Sequence, residues 1–199
     1  METVLLFGIP WVVFAVLIVV LNDKRSTLAL LALNLTIAAF LLIENDLIGA
    51  LTKATLGIAS PVIVLLAIAR MKQPQRQFGV LPLIFAALLT LALSYAVAFS
   101  VRSQFPEGRI IETYFVIALF GIALLIIASQ TSVVKLLLGI LILENIGTLL
   151  LAWGENTALL TVVAEVFVVL ITCTTAYIAV KDFAEYDTID SRKMTQLRG

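Results

Sequence analysis

Apolar runs of about 20 residues recur along the whole chain, and they limit the fold more than any other feature of the sequence. The hydrocarbon core of a bilayer is about 30 Å thick, so one helix crosses it with about 20 mostly apolar residues. We predict an all-α, polytopic transmembrane helical bundle of about seven spans, joined by short polar segments. The predicted spans are Thr3–Leu21, Thr27–Ile43, Leu47–Ala69, Gly79–Val101, Ile110–Ser129, Val133–Trp153 and Thr157–Val180.

Composition excludes several classes of function. Hydrophobic residues make up 62% of the chain and charged residues 13%, whereas soluble domains average about 45–50% apolar and about 25% charged residues. Thirteen basic residues balance 13 acidic ones without a basic stripe, so we expect no nucleic-acid partner. Because the chain has one cysteine and no histidine, we predict neither a disulfide framework nor a metal site built on cysteine or histidine.

Lysine and arginine indicate the orientation of the bundle, because they accumulate in cytoplasmic loops. If the segment between the first two spans is cytoplasmic, only Arg102 and Arg109 lie outside, and Lys53 lies within a span. The cytoplasmic set is then Lys24, Arg25, Arg70, Lys72, Arg76, Lys135, Lys181, Arg192, Lys193 and Arg198. This bias predicts an outer N-terminus and a cytoplasmic C-terminus.

Three ionisable residues fall inside predicted spans, although a charge near a helix centre costs about 2.5–3.5 kcal/mol on insertion scales. Counted from the outer ends of their helices, Glu144 lies roughly 13 Å deep, Glu165 roughly 12 Å and Lys53 roughly 9 Å. Their similar depth predicts one shared polar layer, since such residues normally face a bundle interior and pair.

Two interpretations of this layer remain open. Lys53 could neutralise one carboxylate in a buried ion pair that only fixes helix register. Alternatively, the three groups form a proton or ion relay. Burial raises the pKa of a carboxyl group in general and a nearby ammonium lowers it, so a moving lysine can make a carboxyl group take up or release a proton.

Weaker candidates surround this layer. Asn145, beside Glu144, is a candidate supporting residue that could bond a neighbouring helix. Lys135 could feed protons from the cytoplasmic side or simply follow the positive-inside rule, and Glu44 could assist at the outer end of the second helix or simply be solvated. Asn34 lies in mid-span, where an interhelical hydrogen bond is the favoured role.

The third predicted helix contains a proline shortly after Lys53. Ser60-Pro61 should kink or loosen this helix by freeing backbone carbonyls. A kinked helix that carries a buried lysine is a candidate moving part, although proline is common in membrane helices.

Three stretches resemble one known family. "LLLGILILENIGTLLLA" resembles its helix with an acid-Asn pair, and "LTKATLGIASPVIVLLAIAR" resembles its Thr-Lys helix with a downstream proline. "DTIDSRKMTQLRG" resembles its terminal tail. The last three spans are also similar to the K subunit of respiratory complex I. The closer resemblance is to the component E family of hydrogenase-4 and formate hydrogenlyase-type complexes.

The resemblance implies a non-catalytic membrane subunit of a redox complex in the cytoplasmic membrane of a bacterium or archaeon. Glu144 matches the family's Glu-Asn motif, Lys53 its Thr-Lys motif, and Glu165 an acid on its final helix. The implied partners are antiporter-like membrane subunits and a soluble arm with [NiFe] and iron–sulfur centres, and no cofactor is expected in this chain. The implied parts are a four-helix membrane segment (1–109), a complex-I-K-like three-helix segment (110–180) and a cytoplasmic tail (181–199).

Two other classes of protein remain as alternatives. The first is a subunit of a multisubunit cation/proton antiporter, similar to the C subunit of the sodium/proton type. That subunit is shorter, at about three spans, so the four additional N-terminal helices argue against this alternative. The second is a structural membrane scaffold whose buried acids only lock helices together.

Overall fold

The computed structural model describes residues 2–71, 80–100, 110–130, 132–152 and 158–186. These residues form seven α-helices, each long and apolar enough to cross a membrane. The helices are α1 (Glu2–Val20), α2 (Asp23–Ile43), α3 (Leu47–Ala69), α4 (Val80–Ser100), α5 (Ile110–Ser129), α6 (Val133–Ala152) and α7 (Ala158–Tyr186). The predicted all-α class and the seven spans are confirmed; the tail motif at 187–199 lies outside the described residues.

Two helix ends differ clearly from the predicted spans. α2 begins at Asp23, four residues before the predicted span, because the Asn22 side chain caps it. The side-chain Oδ1 of Asn22 accepts a hydrogen bond from the backbone N–H of Arg25 at 3.0 Å, which satisfies a donor of the first turn. α7 continues to Tyr186, six residues beyond the predicted span, because hydropathy marks where lipid ends and not where a helix ends.

α6 lies inside the bundle and packs against α2, α3, α5 and α7. α1 packs against α2, α4 and α5, while α3 packs against α2 and α7. The first four helices and the last three therefore share interfaces, so the two predicted membrane segments pack as one bundle. α4 is the least buried helix, and its exposed apolar side chains, such as Leu81 and Phe85, fit a surface that faces lipid or a partner.

Large apolar side chains and one close helix contact fix the packing of α1. The ring of Trp11 meets that of Phe40 on α2 edge-on, with centroids 5.0 Å apart. On another side of α1, a Cβ added at Gly8 would lie 2.2 Å from the Phe115 ring, so α1 and α5 approach closely there. α2 in turn packs against α6, where the polar groups of the interior lie.

Candidate functional site

Lys53, Glu144 and Glu165 meet inside the bundle, and we call them the charged trio. The Nζ of Lys53 donates to Oε1 and Oε2 of Glu144, at 2.7 and 2.6 Å. It also donates to Oε1 of Glu165 at 2.7 Å. The side chains of Lys53 and Glu165 are fully buried and that of Glu144 is 10% exposed. Three predicted site residues on three helices are thus bonded through one nitrogen.

Thr148 adds a hydroxyl to the charged trio. It lies one turn after Glu144 on α6, and its Oγ1 donates to Oε1 of Glu144 at 2.7 Å. Oγ1 of Thr148 also lies 3.4 Å from Oε1 of Glu165, so the hydroxyl can donate to either carboxyl group by rotating its O–H bond. Thr148 was not among the predicted site residues, although its spacing of four residues from Glu144 places both on one helix face.

The charge balance of the trio sets its chemistry. One ammonium cannot neutralise two carboxylates, so the fully ionised trio carries one net negative charge in a medium where an uncompensated charge is expensive. One bound proton makes the trio neutral. The two carboxyl groups lie side by side, because both accept hydrogen bonds from the same ammonium. The trio is therefore suited to hold a single exchangeable proton.

The second oxygen of Glu165 differs from its neighbours. Oε2 is buried and makes no hydrogen bond within the described part of the chain. A carboxyl oxygen in this position is the natural one to carry a proton, because the other three oxygens of the pair already accept bonds from Lys53. It also gives the trio an atom from which a proton can be passed on.

Asn145 does not bond to the trio in this structure but to Asn34 on α2. Its Nδ2 donates to Oδ1 of Asn34 at 2.8 Å and to the carbonyl of Leu141, on its own helix, at 3.1 Å. Asn34 in turn donates through Nδ2 to the backbone carbonyl of Gly57 on α3. This amide pair joins α2, α3 and α6 beside the charged trio, as the interhelical role predicted for Asn34 requires.

Lys135 is buried at the beginning of α6, about 13 Å along the helix from Glu144. Its Nζ donates to the carbonyls of Ile18 and Leu21 at the end of α1, the latter at 2.7 Å, and to Oγ of Ser26, also at 2.7 Å. A cation that satisfies the terminal carbonyls of a helix stabilises that helix end. The structure thus gives Lys135 a capping geometry, while a part in proton movement stays a prediction.

Two other acids lie at helix ends. Glu44 is exposed at the end of α2, where its backbone N–H bonds to the carbonyl of Phe40 at 3.0 Å. Asp23, which was not predicted, is buried at the opposite end of α2 and accepts a hydrogen bond from Oγ of Ser132 at 2.9 Å. Asp23 was not predicted because an acid beside Lys24 and Arg25, between two spans, is typical of a solvated segment.

The described residues contain no group of three or more histidine, cysteine, aspartate or glutamate side chains that could hold a metal ion. Comparison of the chain with models of protein families, with curated proteins and with solved structures found no match. The sequence and the structure together support a multi-pass membrane protein whose interior holds charged side chains, a combination compatible with an ion-translocating subunit.

Proposed function

We propose that this chain is a membrane subunit of a complex-I-like, membrane-bound hydrogenase-type redox complex. In this proposal its charged trio takes part in proton translocation, which is driven by electron transfer in partner subunits. The partners would be antiporter-like membrane subunits and a soluble arm that carries [NiFe] and iron–sulfur centres. The chain itself would perform no redox chemistry.

The observation that carries this proposal is the bonding of one buried lysine to two buried glutamates on different helices. Ionisable groups inside a membrane protein commonly mark ion pathways, because they are too expensive to keep without a use. A pair that only fixed register would need one acid. The second acid adds a site for a proton, and the hydroxyl of Thr148 can bond to either carboxyl group.

The trio can transfer a proton by changing which carboxyl group is neutral. When a proton binds to Glu165, the ammonium of Lys53 is left to pair with Glu144. When the proton moves to Glu144, the same ammonium pairs with Glu165. Each state has one cation, one anion and one neutral acid, so no net charge builds up in the bundle interior. A movement of α3 would favour one state over the other.

The proposal of a hydrogenase-type complex depends on the family resemblance in the Glu144 and Lys53 helices. α4 and α7 expose many apolar side chains, which lipid or partner helices would cover, as a subunit within a larger membrane arm requires. Purification of the tagged chain at its endogenous level, followed by identification of the copurifying proteins and a nickel measurement, tests this part. Copurification of antiporter-like chains alone, without nickel, would favour the antiporter alternative.

The test of translocation is a set of chromosomal variants, assayed in inverted membrane vesicles with a pH-sensitive dye while the complex turns over. We expect Glu144→Gln to leave the amount of assembled complex near that of wild type and to reduce proton movement per electron by at least tenfold. Glu144→Asp, which keeps an acid, should retain part of the movement. Loss of assembly with normal coupling per assembled complex would instead support the scaffold alternative.

A further inference from the structure

The proline of α3 leaves one backbone carbonyl without its helical donor. Proline has no N–H, so the carbonyl four residues earlier loses its usual hydrogen bond. For Pro61 that carbonyl belongs to Gly57, one turn after Lys53. In a membrane interior the lost bond must be replaced, because no water is present there to satisfy the backbone carbonyl.

Asn34 on α2 supplies the missing donor. Its Nδ2 donates to the Gly57 carbonyl, and its Oδ1 accepts the 2.8 Å hydrogen bond from Nδ2 of Asn145. Asn34 is 3% exposed and Asn145 is fully buried. A continuous line of hydrogen bonds thus runs from the Gly57 carbonyl of α3 to Asn145, the residue that follows Glu144 on α6.

The Gly57 backbone lies directly against the side chain of Lys53. A Cβ added at Gly57 would be 2.9 Å from Cδ of Lys53 and 3.3 Å from its Cε, so the lysine stem lies over the bare glycine backbone. A displacement of the Gly57 backbone would therefore displace the side chain of Lys53 that packs against it. Asn34 holds that backbone from outside α3.

We propose that Asn34 is a positioning residue for the charged trio. By replacing the donor that Pro61 lacks, it fixes the Gly57 turn against α6 and so keeps the Lys53 ammonium within reach of both carboxyl groups. The inference deepens the proposed function and takes its importance from it. Its test, however, measures the protonation of the two carboxyl groups of the trio and does not require translocation.

The test is an infrared pH titration of the purified full-length chain in phospholipid vesicles, with the carbonyl stretch of protonated carboxyl groups as the signal. Glu144→Gln and Glu165→Gln identify the bands of the trio. In Asn34→Leu the ammonium withdraws, and a carboxyl group without a nearby cation holds its proton to higher pH. We expect the midpoint of the trio bands to rise by about one pH unit or more, given that a nearby opposite charge changes a carboxyl pKa by about 1–3 units.

Pro61→Ala provides the specific rescue. Alanine restores an N–H opposite the Gly57 carbonyl, so the side chain of Asn34 becomes redundant. Pro61→Ala alone, and the double variant Asn34→Leu/Pro61→Ala, should therefore titrate close to wild type. Thr36→Val is the matched control on α2, because within the described residues its hydroxyl bonds only to Leu33 of the same helix, at 2.8 Å.

Two results would overturn the proposal: an unchanged midpoint in Asn34→Leu, or a raised midpoint that Pro61→Ala fails to restore. If Asn34→Leu does not fold, the folded yield becomes the readout: recovery in the double variant supports the proposal and failure to recover overturns it. An unchanged midpoint together with lost translocation in Glu144→Gln would refute the inference and leave the proposed function intact.

Discussion

The ammonium of Lys53 donates to both carboxylate oxygens of Glu144, at 2.7 and 2.6 Å, and still reaches Glu165. The lysine is therefore shared unequally, with two hydrogen bonds to one acid and one to the other. Because the groups lie on α3, α6 and α7, a small displacement of α3 changes this division. A shared cation of this kind couples helix position to the protonation of two acids.

Lys53→Met should destabilise the chain in a way that depends on pH. The substitution leaves two carboxyl groups in the interior without a cation, and removal of one partner from a buried ion pair costs about 3–5 kcal/mol. The loss should shrink as pH falls, because protonation of both acids removes the buried charge. Thermal unfolding of the purified chain over a pH series measures this effect.

Lys24→Met is the matched control for this prediction, because Lys24 is exposed in the first turn of α2. Its unfolding temperature should stay near that of wild type at every pH. An equal loss of stability at low and high pH in Lys53→Met would contradict the charge explanation and point to a packing defect.

Glu165→Gln should behave differently from Lys53→Met. It leaves one cation facing one anion, so the interior is neutral without a bound proton and the unfolding free energy should stay within about 1–2 kcal/mol of wild type, the cost of altering one buried hydrogen bond. Proton movement should fall nonetheless, since one proton site is lost. If Glu165→Gln instead loses as much unfolding free energy as Lys53→Met, the result would argue against this charge balance.

Much of the bundle and of its charged trio can be predicted from sequence. Lipid imposes a length and a hydropathy on each span, so most predicted ends fall within one residue of the observed ones. Lys53, Glu144 and Glu165 stand out because charges are rare in such spans. Their similar depth then predicts a common layer, and the structure places Lys53 in direct contact with both acids.

The polar contacts between helices could not be predicted in the same way. Asn34 and Gly57 are 23 residues apart, and only the packing of α2 against α3 brings them together. Lys135 resembles any cytoplasmic lysine in sequence, whereas the structure buries its ammonium against the end of α1. Such contacts depend on which helices become neighbours and on how each is rotated, and neither hydropathy nor charge counting supplies that information.

Lys135→Met should weaken the bundle without affecting the charged trio. The substitution removes hydrogen bonds to the carbonyls of Ile18 and Leu21 and to Ser26, and unsatisfied buried groups cost about 1–3 kcal/mol each. We expect a lower unfolding temperature but unchanged midpoints for the trio bands in the infrared titration. A changed midpoint would instead support the predicted part of Lys135 in proton supply.

Gly57→Ala and Gly147→Ala form a matched pair for the last prediction. A Cβ at Gly57 meets the stem of Lys53 at 2.9 Å, whereas a Cβ at Gly147 on α6 meets nothing within 4 Å. Both changes remove a helical glycine, which favours the helix by about 1 kcal/mol. Gly147→Ala should therefore unfold at the same or a higher temperature and titrate like wild type. Gly57→Ala must displace the stem of Lys53, so its trio bands should shift to higher pH and its proton movement should fall. If both variants titrate alike, the bare backbone at Gly57 is not what seats the lysine.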